Sequence, residues 1–326
     1  MKKATLIGRL IAASLAVGAI SAAQAAVPSF DLGLASGYSA FFYGNVSQVR
    51  DVEGRLAVGG NLTTSGFSFA YRTQVPTSLP SVVVGKNVAL TGGTIYANPG
   101  AGIDTNVTIG PITDYTKNWN GFGVYGGTNS SSNYLSLTKS NDINSVVNFG
   151  AAKTSFTALS STLGSAAANG SVQIDGSGTH LTGNNTSGLQ VFNLSSGNLK
   201  NLVLSNVKAG STVVINVSGS TVDFTGGQDG QLQALRANVI YNLLDADVVN
   251  VNTFVYGSVL ANKAELRGAG HLEGNIIANS MNGTVEIGYE PFHGYVTTPV
   301  PEPTTYAMLL GGLGLMGVVA RRRKSA

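Results

Sequence analysis

The residues best suited to recognition chemistry cluster in one stretch. Tyr115-Thr116-Lys117-Asn118-Trp119-Asn120-Gly121-Phe122 contains the chain's single tryptophan, and Tyr125 and Tyr134 follow in a region rich in Gly, Asn and Ser. Aromatic rings stack on the apolar faces of sugars, and neighbouring amides bond their hydroxyls. Tyr115, Trp119, Tyr125 and Tyr134 are therefore the candidate surface- or glycan-binding residues. The blander reading is a loop that covers the core.

Reactive side chains are sparse. There is no cysteine, so disulfides and thiolate metal sites are impossible. The three histidines, His180, His271 and His293, form neither H-x-x-x-H nor H-E-x-x-H, so zinc lacks its ligand spacing. His271 and Glu273 flank Leu272 and could face one way, but structural or solvated roles are expected for all three. No G-x-S-x-G elbow is present. Asp51, Glu53, Asp104, Asp114, Asp245 and Asp247 could supply the clustered carboxylates of a glycan-cleaving enzyme only by number. Asp175-Gly176-Ser177-Gly178 and Gln228-Asp229-Gly230 could touch Ca²⁺ in loops, yet neither matches an EF-hand or an RTX nonapeptide. The expectation is no catalysis, no metal and no cofactor.

The elements that must position these residues are repetitive. Gly257-Ser258-Val259-Leu260-Ala261-Asn262 returns as Gly274-Asn275-Ile276-Ile277-Ala278-Asn279, and Val58-Gly59-Gly60-Asn61-Leu62 returns as Val84-Gly85-Lys86-Asn87-Val88. Glycine and asparagine tolerate positive φ and suit corners between strands. Short strands repeated at such intervals predict a β-solenoid, whose coils cannot bury an apolar side alone and must stack. Strands are expected at 171–174, 180–182, 189–194, 202–204, 212–217, 221–224, 238–243 and 248–251. One helix interrupts them: Phe149, Ala152, Phe156, Leu159, Leu163 and Ala166 recur at steps of three and four. Asn148 is expected to cap it and Asn169-Gly170 to end it. The fold class predicted is mainly β, a right-handed β-solenoid braced by one long α-helix. The charged segments Asp51 to Arg55 and Glu286 to Glu290 are read as blunting exposed sheet edges.

Both ends read as targeting signals. Residues 1–25 form a secretory signal peptide, with Lys2 and Lys3, an apolar run from Leu10 to Ile20, and Ala23-Gln24-Ala25 at the exit. Residues 26–298 are the body. In residues 299–326, Pro301-Glu302-Pro303 precedes an apolar run from Tyr306 to Ala320 and then Arg321-Arg322-Arg323-Lys324. Fifteen helical residues span about 22 Å, short of the roughly 30 Å hydrocarbon core, and the basic cluster favours the cytoplasmic side. The net charge of +3 comes from the ends: up to Val300, without Lys2, Lys3 and Arg9, 12 basic residues face 15 acidic ones. Nucleic-acid binding has no electrostatic footprint.

The C-terminal arrangement resembles the PEP-CTERM sorting signal of Gram-negative bacteria. The resemblance implies Pro301, Glu302, Pro303, Arg321, Arg322 and Arg323 as signal residues. It also implies an exosortase-type processing peptidase as partner, a transient inner-membrane anchor, and delivery to the cell surface or extracellular matrix. Asp51-Val52-Glu53-Gly54-Arg55 with Ala57-Val58-Gly59-Gly60-Asn61 is similar to the choice-of-anchor A family of surface proteins. The similarity continues through Val191-Phe192-Asn193-Leu194 and Val213-Val214-Ile215-Asn216-Val217-Ser218-Gly219 to the final coils, spanning about Phe30 to Tyr295. The later segments also resemble the β-solenoid of bacterial ice-binding proteins and related adhesive domains. Pro291-Phe292-His293-Gly294 matches the usual closing motif only loosely. The function implied is a non-enzymatic adhesive or structural component of biofilm or exopolysaccharide, whose partner is that polysaccharide or another cell surface. The alternatives are an ice-binding protein, which would need a flat face of regularly spaced threonines, and a polysaccharide-active β-helix enzyme.

Overall fold

The computed structural model describes residues 32–72, 78–97, 119–186 and 188–294, with the backbone alone at Trp119 and Asn120. The signal peptide, the sorting signal with its apolar run, Tyr115, Asp104 and Asp114 lie outside the described residues. Within them the fold is mainly β, an 18-stranded sheet and a 7-stranded sheet built from short, mostly parallel strands.

Three ladders organise the strands. The first runs Leu189–Leu194, Thr212–Val217, Val239–Leu243, Ser258–Gly268, Ile276–Asn282, Ala40–Phe42, Leu56–Val58, Val82–Val84, Gly123–Tyr125, Leu137–Lys139. The second joins Gly178–Thr182, Asn198–Ser205, Thr221–Gln228 and Val248–Val251 to the far halves of Ser258–Gly268 and Ile276–Asn282, then to Val46–Ser47, Leu62–Ser65 and Val88–Thr91. The third runs Phe254–Tyr256, His271–Glu273, Glu286–Ile287, Asp51–Val52, Ser68–Phe69, Thr94–Ala97, and ends on Trp119–Asn120, paired antiparallel. In each, strands from the start of the chain continue a stack built from its end.

The central strands of the first ladder, such as Thr212–Val217, Val239–Leu243, Leu56–Val58 and Val82–Val84, are buried on both faces, which explains their unbroken apolar runs. Val213 and Ile215 point into the main core with Val239, Tyr241, Val259, Ile276 and Leu56. Val214 points the other way, into a second cluster with Val191, Ile240, Leu260, Ile277, Phe41, Ala57 and Val83. The helix α1, Phe149–Gly164, covers that second face with Ala152, Phe156 and Leu163. Phe41 meets Phe149 and Phe156 at ring-centroid distances of 5.4 and 6.0 Å. Asn148 caps the first turn by accepting from the Ala151 N–H at 2.9 Å.

Polar ladders fix the helix in place. Asn262, Asn242 and Asn216 donate at 2.9 Å each to the carbonyls of Phe156, Ser160 and Leu163. The asparagines also join each other: Asn242 donates to Asn216 at 2.8 Å, and Asn216 to Asn193 at 2.9 Å. The geometry works because two spacings match. Seven helical residues rise about 10.5 Å, close to the roughly 9.6 Å across two strand gaps.

The repeated Val-Gly-x-Asn phrase marks a corner. A Cβ on Gly85 would lie 2.3 Å from the Gly59 carbonyl oxygen, and one on Gly126 would lie 2.5 Å from that of Gly85. Glycine is required there because backbones of successive turns touch. The asparagines stack beside them: Asn45, Asn61 and Asn87 accept from the N–H groups of Asn61, Asn87 and Thr128 at 2.9, 3.2 and 2.9 Å.

Three expectations are corrected. A second helix, α2 at Gly230–Leu235, is present, and the Asp229 carboxylate caps it by accepting from Gln231 N–H at 3.2 Å, so that loop is a helix start. Asn169-Gly170 does not end α1, which finishes at Gly164. Instead the Asn169 side chain accepts from Val191 N–H at 2.7 Å and donates to Leu189 C=O at 2.8 Å, covering the edge of the terminal strand. Asp51–Val52 and Glu286–Ile287 are not at sheet edges; they pair with each other mid-ladder.

Replacing Asn242 with Ala removes a fully buried link between strand and helix. Urea unfolding should show a loss of about 2 kcal/mol, whereas the exposed Asn198→Ala should stay within about 0.5 kcal/mol.

Candidate functional site

Among the described residues, the densest group of ionisable side chains lies on the outer face of the third ladder. Alternation along a strand sends Val52, Leu272 and Ile287 into the core and leaves their neighbours outside. Asp51 and Glu53 therefore face the same way as His271, Glu273 and Glu286, although more than 200 residues separate them. Tyr71 and Arg72 fold over the group from the turn after Ser68–Phe69.

Glu53 is the hub. It accepts from Tyr289 N–H at 2.9 Å and Tyr71 O–H at 3.1 Å, and it pairs with the Arg72 guanidinium. Tyr71 also reaches Asp51 at 3.3 Å. Arg72 lies 3.8 Å from Glu273, a weaker second partner. Glu273 is fully buried, and Gly288 leaves the room it needs, since a Cβ there would sit 2.5 Å from its carboxylate. His271 Nε2 is 2.8 Å from Glu273 and Nδ1 is 3.3 Å from Glu286, so both ring nitrogens face carboxylates. Phe254 stacks on the His271 ring at 4.3 Å. Glu290 pairs with Arg236 at 3.0 Å.

This crowding moves the titrations. Burial, then the neighbouring Glu286, pushes Asp51 up to about 6. Burial outweighs the pull of Arg72 on Glu53, and Glu273 adds to it, raising Glu53 to about 7. Burial opposes the charge on His271, but its bonds to Glu273 and Glu286 prevail and raise it above the usual imidazole range. Burial raises Tyr71, and Glu53 and Asp51 raise it further. The group can hold and exchange protons. Glu53 and Glu273 are too enclosed to reach a polymer, and no group of three or more His, Asp or Glu among the described residues is arranged to hold a metal.

The sequence-derived candidates are spread out. Trp119 pairs through its backbone with Ala97 at the end of the third ladder. Tyr125, on the first ladder, is half-buried against the core. Tyr134 is 65% exposed, and its hydroxyl accepts from Gly93 N–H at 3.1 Å. Asp175 bonds within its own turn, accepting from Ser177 N–H at 2.8 Å, and Ser177 Oγ is 2.8 Å from His180. Asp245 lies 3.9 Å from Lys263 on the surface, and His293 donates its backbone N–H to Ala237. Sequence reasoning missed Tyr71, Arg72 and Glu286 as partners of Asp51 and Glu53. The signal available was the i, i+2 spacing of Asp51 with Glu53, matching that of His271 with Glu273. Gly288→Ala should be destabilising by about 1–3 kcal/mol in thermal unfolding, because the new methyl meets a carboxylate with nowhere to move.

Among the described residues no helix is long and apolar enough to cross a membrane. Comparison with curated protein sequences gives no match. Solved structures similar to the chain include a glycosylated ice-binding protein (LeIBP) from an Arctic yeast, at 15% identity, covering 84% of this chain and 97% of that one with a TM-score of 0.37. An ice-binding protein from the Antarctic ascomycete Antarctomyces psychrotrophicus is 16% identical, with coverages of 82% and 99% and a TM-score of 0.32. The DUF3494 domain of a Shewanella frigidimarina ice-binding protein is 11% identical, with coverages of 79% and 98% and a TM-score of 0.30. Residues 299–324 match the PEP-CTERM protein-sorting motif, which implies exosortase processing and an exported surface protein. Residues 31–289 match the ice-binding-like adhesive domain, and the chain belongs to that family.

Proposed function

We propose that this is a non-enzymatic adhesive or structural protein of the extracellular polysaccharide or biofilm. The observation that carries the reading is the joining, in one chain, of an adhesive-family body to a sorting motif. In this reading residues 1–25 are removed on export, residues 26–298 form a choice-of-anchor A-like body, and residues 299–326 hold it in the inner membrane of a Gram-negative cell until exosortase cuts near Pro301-Glu302-Pro303. The body is a right-handed β-solenoid braced by α1; the three ladders of parallel strands support this, the turns from Val239 to Ile287 and from Ala40 to Ala97 each giving a strand segment to each ladder.

The surface contact is assigned to the Tyr115, Trp119, Tyr125 and Tyr134 region. The exposure of Tyr134 supports it, and the backbone of Trp119–Asn120 pairs with Tyr96–Ala97 on the third ladder. Adhesion is preferred to ice binding because the outer row of the second ladder is mixed. It reads Asn198, Asp223, Asn250, Arg267 and continues through Asn282, Ser47, Thr63 and Ala89. Charged groups and a single threonine do not make a regular array.

Co-sedimentation of the mature chain with the producing cell's own extracellular polysaccharide tests the reading. Binding without shortening of the polysaccharide is expected, and Trp119→Ala with Tyr134→Ala should weaken it at least several-fold without lowering the unfolding midpoint. Shortening would replace the adhesive reading with an enzymatic one. Absence of binding together with thermal hysteresis would replace it with ice binding.

A further inference from the structure

We propose that the carboxylate–histidine cluster is a proton-operated clasp on the seam where the N-terminal strands rest on the C-terminal ones. It tightens when the cluster takes up protons and loosens when it loses them.

The seam crosses all three ladders. On the first, Ala40–Phe42 pairs with Ile276–Ala278; on the second, Val46–Ser47 pairs with Met281–Asn282. On the third the backbone offers least, a single register pair of Ile287 with Val52. The side chains outside that pair come from both sides of the seam. Asp51, Glu53, Tyr71 and Arg72 belong to the N-terminal side. His271, Glu273, Glu286 and Glu290 belong to the C-terminal side, with Arg236 reaching Glu290 from the end of α2. Two contacts of Glu53 and Arg72 cross the seam directly, from Tyr289 N–H to Glu53 and from Arg72 to Glu273.

Five carboxylates thus share two guanidinium groups and one imidazole, an excess of negative charge in a half-buried place. Two buried carboxylate oxygens, Asp51 Oδ1 and Glu273 Oε1, receive no hydrogen bond. An ionised oxygen without a donor is costly to bury, whereas a neutral acid is far less so. The imidazole adds to this, because only its protonated form donates from both nitrogens to Glu273 and Glu286. Losing that proton turns one bond across the outer face into a contact between two acceptors.

The signs agree. Asp51, moved from 3.8 to about 6, and Glu53, moved from 4.5 to about 7, bind protons more tightly when folded. Their contribution is complete below the unfolded values and is lost as pH rises through the folded ones. His271, raised above 6.5, contributes below that value and loses its contribution as pH rises through its folded one. The seam therefore weakens from mildly acidic to mildly alkaline solution.

Hydrogen exchange of the mature protein, corrected for intrinsic rates, tests this at about pH 5.5 and about pH 8. Seam segments 51–54 and 286–290 are compared with the remote strand 212–217. The seam should lose protection at least about tenfold more than the remote strand, a difference of one pKa unit or more. Glu273→Gln should reduce that difference, because it removes a carboxylate that raises both Glu53 and His271. If that variant does not fold, the half-exposed Glu286→Gln serves, and it should reduce the difference and lower the pH at which it appears. Parallel loss of protection in seam and remote strand, or an unchanged pH response in the variant that folds, would overturn the proposal.

Discussion

The structure depends on one contact: Ala40–Phe42 lying in parallel register on Ile276–Ala278. Without it the first ladder divides into two stacks, each with an open edge of unpaired N–H and C=O groups and an uncovered apolar face. With it, the beginning of the chain continues what the end began. The partners stand 236 residues apart, from Ala40 to Ile276. Closing so long a loop forfeits chain entropy before any strand pairing rewards it, so this contact belongs to the slow, late part of folding. The absence of cysteine means that no covalent bond assists.

Around that seam the protein solves the same problem several times: how to bury polar backbone and side chains without leaving them unpaired. At the corners, glycines let carbonyls approach and asparagines stack. Under α1, three asparagines bond carbonyls of successive helical turns, so the helix stays in register with the strands below. Asn169 copies a strand's hydrogen bonds at the terminal edge. These are amide solutions, uncharged at every pH. The outer face of the third ladder instead gathers ionised groups, and it lies on the seam.

Much of this was written locally. The glycine and asparagine of Val58 to Leu62 and Val84 to Val88 announced corners because backbone contact admits little else there. Val213-Val214-Ile215 announced a strand buried twice. The apolar steps from Phe149 to Leu163 lie on α1, whose buried residues include Ala152, Phe156 and Leu163. What was hidden is order. Parallel ladders take partners from distant turns of the chain, and nothing near Asp51 says that it will stand beside Glu286. Their charges therefore looked like edge protection, although the backbone pairs them in mid-ladder. The short α2 was missed because Asp229-Gly230 is as good a loop as it is a helix cap. For the aromatic stretch the legible part was composition; half-burial of Tyr125 against the core depends on the ladder that receives it.

The most direct test of the account is a cross-link over the seam. Ser47 and Asn282 are register partners on the second ladder, and the Ser47 hydroxyl donates to Asn282 at 3.1 Å. The chain has no cysteine of its own, so a Ser47→Cys, Asn282→Cys protein offers one possible intramolecular disulfide. Mild oxidation should give a fast-migrating, monomeric, cross-linked chain in near-complete yield, with a raised unfolding midpoint. A folded protein whose two thiols stay free, or pair only between molecules, would contradict the arrangement on which the whole description rests.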